Sequence, residues 1–119
     1  VLQLHAQAPT LILPMLGAYR TPTEKATWMH DIGLPERIEQ ALAQGPWRAV
    51  GELHLFAEDR RRPVFIRIAR LATSRGLPVQ LHCDPAVIDA LFEVSISTFR
   101  SATSALLQMA RSIQCGSCF

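Results

Sequence analysis

The stretch that decides the fold is residues 48–83, which read RAVGELHLFAEDRRRPVFIRIARLATSRGLPVQLHC. Two short apolar segments, at 48–56 and 78–83, have the length and composition of strands, and they flank a longer segment at 63–75. In that longer segment the apolar residues recur with helical spacing, a proline begins it and Gly76 ends it. The stretch therefore predicts a strand, a helix and a second strand in succession.

The residues on either side continue this alternation. Residues 10–16, TLILPML, form an apolar run that predicts an earlier strand, and apolar residues at every fourth position predict a helix over 35–44. After the last strand, Asp84 and Pro85 form an N-cap with proline at the first helical position, which predicts a further helix. Strands that alternate with helices of this length are typical of βαβ units, so the sequence predicts an α/β fold with parallel strands.

A shorter helical signal lies between the first strand and the helix over 35–44. Thr21 precedes Glu24 by three residues with Pro22 between them, which is the pattern of a capping box with proline at the first helical position. This pattern predicts a short helix through Met29.

Composition and charge exclude several classes of protein. The chain has 119 residues, 49 % of them apolar and 18 % charged, with a net charge of +2, which is typical of one globular domain. Lys25 is the only lysine and residues 60–62 are the only basic cluster, so no nucleic-acid partner is expected. No apolar run approaches the roughly 20 residues that span a bilayer, and no signal-peptide pattern is present. We therefore expect no membrane partner and a cytoplasmic location.

The composition changes after residue 94, which divides the chain into a segment 1–94 and a Ser-rich tail 95–119. No acidic residue follows Glu93, and the tail holds six serines. Apolar residues in the tail keep helical spacing, which predicts an amphipathic helix over 98–113. The alternative is that the reading frame was lost near residue 94, so that the tail is not the sequence with which the fold evolved.

Polar side chains interrupt the second and third predicted strands. Glu52 and His54 are two residues apart, so an extended strand places both on one face, and His82 lies near the end of the next strand. Strands of a parallel sheet are normally apolar on both faces, and ligands bind at their carboxyl ends. A carboxylate and two imidazoles at such a place are a ligand set for zinc or another divalent metal ion, which activates water for hydrolysis. The alternative is that each histidine is a hydrogen-bonded structural residue.

Two other features point to binding or redox chemistry. Arg20 follows the first predicted strand at the same end of the sheet, where its guanidinium is placed to bind a substrate carboxylate. Cys115 and Cys118 form a CxxC motif, which is typical of a redox site when a helix follows it. Only Phe119 follows here, and three cysteines without a secretion signal predict reduced thiols, so we interpret the motif as incidental.

Three motifs between residues 49 and 92 occur together: GELH at 51–54, a helix that leads into Gly-Leu-Pro at 76–78, and a strand that ends in His82. In this combination they resemble the middle of a metal-dependent hydrolase of the amidohydrolase superfamily, closest to its amidohydrolase-related branch. The resemblance implies a (β/α)8 TIM-type barrel in which Glu52 follows the fourth strand and His82 the fifth, both as metal ligands. His54 stands where many relatives have glycine, so its predicted catalytic role, as an auxiliary ligand or an acid–base group, comes from its place beside Glu52 and not from the resemblance.

The resemblance also implies that only part of a barrel is present. The superfamily uses further ligands, among them an HxH pair after its first strand, and the sequence contains no HxH motif. A complete barrel takes about 250 residues, so 119 residues supply three strands and their helices. We therefore expect an incomplete barrel from a hydrolase that attacks a bond next to a carbonyl in a small-molecule substrate, with zinc weakly bound and no activity on its own. The alternative is a non-catalytic α/β module that self-associates through exposed sheet edges or binds a partner.

Overall fold

The structure is a computed structural model that describes residues 1–99 and 114–115 of the chain. Within these residues, strands and helices alternate along most of the sequence. The four strands are β1 (Met15–Leu16), β2 (Ala49–Leu55), β3 (Val79–Cys83) and β4 (Gln114–Cys115). The four α-helices are α1 (Leu2–Gln7), α2 (Leu34–Gln44), α3 (Pro63–Ser74) and α4 (Pro85–Phe99).

The strands form one sheet in the order β1-β2-β3-β4, and every neighbouring pair is parallel. The α/β class with parallel strands, predicted from the alternation of strand and helix patterns, is therefore confirmed. Because the spatial order follows the sequence order, the described sheet contains no point at which the strand order reverses. In the central pair, His54 lies directly opposite His82.

Helices α2, α3 and α4 form a layer against the apolar side of the sheet. Helix α3 packs against both α2 and α4, so the three helices lie side by side. Phe65 and Ile68 on α3 are fully buried between this layer and the strands. The buried core also includes Leu34 and Ile38 of α2, Val50 and Leu53 of β2, Leu81 of β3, and Val87 and Leu91 of α4.

A bulge in β2 brings its apolar residues to the helix side of the sheet. Val50 pairs with Val79 and Leu53 with Leu81, so three steps along β2 match two steps along β3. The extra residue places both Val50 and Leu53 in the core, although an odd spacing would put them on opposite faces of a regular strand. Gly51 lies in the bulge with φ of 143°, and a Cβ atom there would approach the carbonyl oxygen of Gln80 to 2.6 Å. The position therefore requires glycine.

Two local predictions differ from the structure, and one helix was not predicted. The first strand spans only Met15–Leu16 instead of 10–16, because Pro14 has no N–H to donate and Leu11 and Leu13 face solvent. The predicted short helix through Met29 is replaced by two 3₁₀ helices, Pro22–Ala26 and Trp28–His30. Helix α1 carries no side-chain cap and was not predicted.

The helix after Pro85 is confirmed, and it runs across the predicted boundary at residue 94 as far as Phe99. The predicted helix over 98–113 lies, apart from its first two residues, outside the described residues, as does Cys118 of the CxxC motif. Among the described helices, none combines the length and the hydropathy needed to cross a membrane.

Candidate metal centre

Glu52, His54 and His82 lie together on the face of the sheet opposite the buried apolar residues of β2 and β3. Glu52 and His54 belong to β2, and His82 occupies the matching position of β3, one residue before that strand ends. One nitrogen or oxygen atom from each side chain lies within 4.8 Å of those from the other two. The structure thus brings together the three residues that the sequence predicts as ligands or catalytic groups.

The carboxylate of Glu52 bridges the two imidazoles. Its Oε2 atom is 3.0 Å from Nε2 of His54, and its Oε1 atom is 3.3 Å from Nδ1 of His82. The two rings lie side by side, with their centroids 4.4 Å apart and their planes inclined by 34°. Nε2 of His54 is buried, with the carboxylate of Glu52 as its ion-pair partner. The three side chains thus meet around one small volume.

The charge of the cluster depends on Glu52. Its contact with His54 is the main cause that lowers the pKa of Glu52 below its ordinary value, while partial burial opposes the shift. The hydrogen bond with His82 and the positive charge of Lys25 lower the same pKa further. Glu52 is therefore ionised at neutral pH, which is the form that binds a cation.

Two aromatic residues that the sequence did not assign to the site lie against His54. The ring centroid of Tyr19 is 6.1 Å from that of His54, and the Tyr19 hydroxyl is buried. Burial, together with the negative charge of Glu52, raises the pKa of Tyr19 to about 12, although the backbone of His54 acts in the opposite direction. Nε1 of Trp28 donates a hydrogen bond of 3.0 Å to the carbonyl oxygen of His54.

The sequence carried a signal for only one of these two residues. Tyr19 follows the first strand at the end of the sheet where sites form in parallel α/β folds. Trp28 is buried in the core. Its contact with β2 spans 26 positions of sequence, and no local pattern indicates such a distant hydrogen bond.

An open cleft of about 270 Å³ adjoins the two histidines at the carboxyl ends of β2 and β3. Oδ2 of Asp84 accepts a hydrogen bond of 2.8 Å from the backbone N–H of Ala57, which ties the loop after β2 to the end of β3. This bond gives the cleft a fixed wall. The lining residues are His54, Leu55, Phe56, His82, Cys83 and Asp84.

Arg20, the predicted substrate-binding residue, lies outside this cluster. Its guanidinium is largely exposed and forms an ion pair of 2.9 Å with Glu24, whose carboxylate also accepts the backbone N–H of Arg20. Arg20 does not line the cleft beside the histidines. Its role in binding a substrate carboxylate stays a prediction.

Comparison of the chain with protein-family models, with curated proteins and with solved structures gave no match. The chemistry of the site is therefore argued from its own donor atoms, their burial and their position in the sheet.

Proposed function

We propose that Glu52, His54 and His82 form part of a divalent metal site, with zinc as the preferred ion, in a metal-dependent hydrolase of the amidohydrolase superfamily. One observation carries the proposal: three donor atoms lie within 4.8 Å of one another near the carboxyl ends of two adjacent parallel strands. Parallel α/β folds place ligands and catalytic groups at this end of their strands.

The residues fit a zinc ion in number and in chemistry. One carboxylate and two imidazoles are the protein ligands of a well-known class of catalytic zinc site, which leaves a position open for water. Buried polar atoms in folded proteins almost always have a partner, and Nε2 of His54 has no hydrogen bond among the described residues.

A zinc ion, when bound, supplies Lewis-acid activation of water for attack on a bond next to a carbonyl. The protein's own residues bind the ion and accommodate the substrate. Glu52 supplies the negative charge, His82 and His54 supply nitrogen donors, and the cleft beside them admits a small-molecule substrate. Asp84 holds the wall of that cleft by its hydrogen bond to Ala57.

The arrangement of the sheet supports the proposal that the chain is part of a (β/α)8 barrel. Sequential parallel strands with helices on one side are how a barrel segment is built, whereas a doubly wound sheet reverses its strand order and is covered on both faces. In a barrel, the face opposite the helices points inward, and Glu52, His54 and His82 lie on that face. Because superfamily sites draw further ligands from other strands, we expect the chain alone to bind zinc weakly and to hydrolyse nothing.

The test is a measurement of Zn²⁺ and Co²⁺ binding to the purified chain by titration calorimetry. We expect about one ion per chain, and a loss of affinity of at least about tenfold in His82→Ala. His30→Ala is the matched control, because His30 is an exposed histidine outside the cluster and its replacement should leave the affinity unchanged.

Equal binding by the wild-type, His82→Ala and His30→Ala proteins would overturn the assignment of the ligands. If none of the three binds metal, the alternative of a non-catalytic α/β module gains support. That module would self-associate through its sheet edges, which sedimentation velocity would detect as a concentration-dependent increase in mass.

A further inference from the structure

In the part of the chain that the structure describes, the backbone of β2 near His54 has no neighbouring strand on the side of β1. Among the described residues, β1 pairs with β2 only at Ala49 and Val50. Beyond Val50, the one partner of β2 within residues 1–99 and 114–115 is β3, where His54 lies opposite His82. A backbone carbonyl inside a fold needs a hydrogen-bond partner, so another group must take the place of the missing strand at His54.

Trp28 is that group. Its Nε1 atom donates to the carbonyl oxygen of His54 at 3.0 Å. The indole is only 2 % exposed, and the 3₁₀ helix that carries it packs against α3 in the core. Because packing in the core fixes the indole, its hydrogen bond also fixes the backbone of His54.

We propose that Trp28 is a positioning residue, whose indole N–H holds the end of β2 so that Nε2 of His54 faces the carboxylate of Glu52. This inference deepens the proposed metal site, and its metal-binding readout rests on that proposal. The two side chains of β2 that reach the cluster, Glu52 and His54, are only two residues apart, so a small rotation of the strand at His54 changes their separation. In a sheet with a longer β1, a backbone N–H of that strand would donate the hydrogen bond to His54 that the indole donates here.

The test compares two tryptophan replacements that remove the same kind of hydrogen bond. Trp28→Phe removes the donor to His54, whereas Trp47→Phe removes an indole donor to the carbonyl oxygen of Ala41, at the end of α2 and away from the cluster. We expect Trp28→Phe to weaken Co²⁺ binding about three- to tenfold, which is the range for one hydrogen bond, and to change the visible absorption bands of the bound ion. Trp47→Phe should leave both unchanged.

A double-mutant cycle separates positioning from general loss of stability. If Trp28 acts through His54, then Trp28→Phe has no further effect on Co²⁺ affinity in a His54→Ala background. An equal loss of affinity in both backgrounds would overturn the inference. In case Trp28→Phe fails to fold, a second variant carries benzothienylalanine at position 28, which keeps the shape of the indole and replaces its N–H by sulfur.

A measurement on the metal-free protein keeps this test independent of the metal site. In ¹H–¹⁵N spectra of the imidazoles, we expect the benzothienylalanine variant to shift the His54 resonances and to leave those of the exposed His30 in place. Failure of the wild-type protein to bind Co²⁺ would count against the proposed function alone. Unchanged His54 resonances in the variant would count against the positioning role of Trp28, whatever the metal result.

Discussion

The two faces of strands β2 and β3 are built from the same short segments, yet they have opposite chemistry. The face toward the helices is apolar, and each of its residues is at most 5 % exposed. On the other face, the side chains of Glu52, His54 and His82 remain 42 %, 19 % and 32 % exposed. The apolar residues are Val50, Leu53 and Leu55 of β2 and Val79, Leu81 and Cys83 of β3.

The difference separates the face that supplies stability from the face on which the candidate site lies. Parallel strands are normally apolar on both faces, because helices or barrel side chains cover both. Half-burying a carboxylate and two imidazoles costs solvation free energy that apolar residues at the same positions would not cost. We infer that the polar face serves binding, while the apolar face holds the fold.

The largest loss of stability is expected at Leu53, and it tests the division between the apolar and the polar face. Leu53 lies between Glu52 and His54 in sequence but faces the helices. Leu53→Ala should lower the free energy of unfolding by about 2–5 kcal/mol, because the side chain is fully buried and its loss leaves a cavity. Chemical denaturation followed by circular dichroism measures this. Gln80→Ala, on the other face, should cost less than about 1 kcal/mol. Similar losses in both variants would contradict the division.

An intermediate effect is expected at Gly51. Gly51→Ala combines a positive φ with a clash against the backbone of Gln80, and we expect it to cost about 2–4 kcal/mol. Gly76→Ala isolates the first cause, because Gly76 has φ of 66° and open space around it, and it should cost about 1 kcal/mol. The two free energies of unfolding are compared under identical conditions. Equal costs would show that the contact with Gln80 is relieved by a local shift.

The smallest effect concerns pH. Contact with His54 lowers the pKa of Glu52 below its ordinary value of 4.5. A carboxyl whose pKa is lower in the folded chain adds stability above its unfolded pKa, and that contribution disappears as the pH falls through the folded value. The free energy of unfolding of the metal-free protein should therefore decrease below about pH 5, and less so in Glu52→Gln. Because Glu52 is 42 % exposed, we expect a difference of less than about 1 kcal/mol.

Glu58→Gln provides the comparison for this titration, since Glu58 is exposed and lies outside the cluster. It should reproduce the wild-type dependence on pH. If Glu52→Gln also reproduces it, the interaction between Glu52 and His54 contributes nothing to the stability of the fold.

The sequence predicted the regular part of the fold because periodicity reports burial directly. The repeats over 35–44 and 63–75 correspond closely to helices α2 and α3, and the segments 48–56 and 78–83 to strands β2 and β3. The run 10–16 failed as a strand because an apolar composition does not ensure burial and because proline at position 14 interrupts hydrogen bonding.

For the site, alternation along β2 was enough to place Glu52 and His54 on one face, and the order of the strands placed His82 beside them. The bulge was not predicted, since Gly51 by itself does not reveal that Val50 and Leu53 share a face. The contact between Trp28 and His54 was also not predicted, because it depends on how a distant 3₁₀ helix packs. Periodicity predicts which face of one strand or helix is buried. The bulge and the contact of Trp28 depend on how one element packs against another.

The bulge at Gly51 also constrains how this protein can change over generations. If the bulge were lost without the loss of a residue, regular alternation would turn Val50 to the face opposite Leu53, so the glycine that permits the bulge is under as much selection as the apolar residues beside it. With the bulge preserved, exchanges at positions 52, 54 and 82 alter the donor atoms and leave the apolar residues that pack on the helices unchanged. A lineage can therefore vary the chemistry of the cluster while inheriting the same fold.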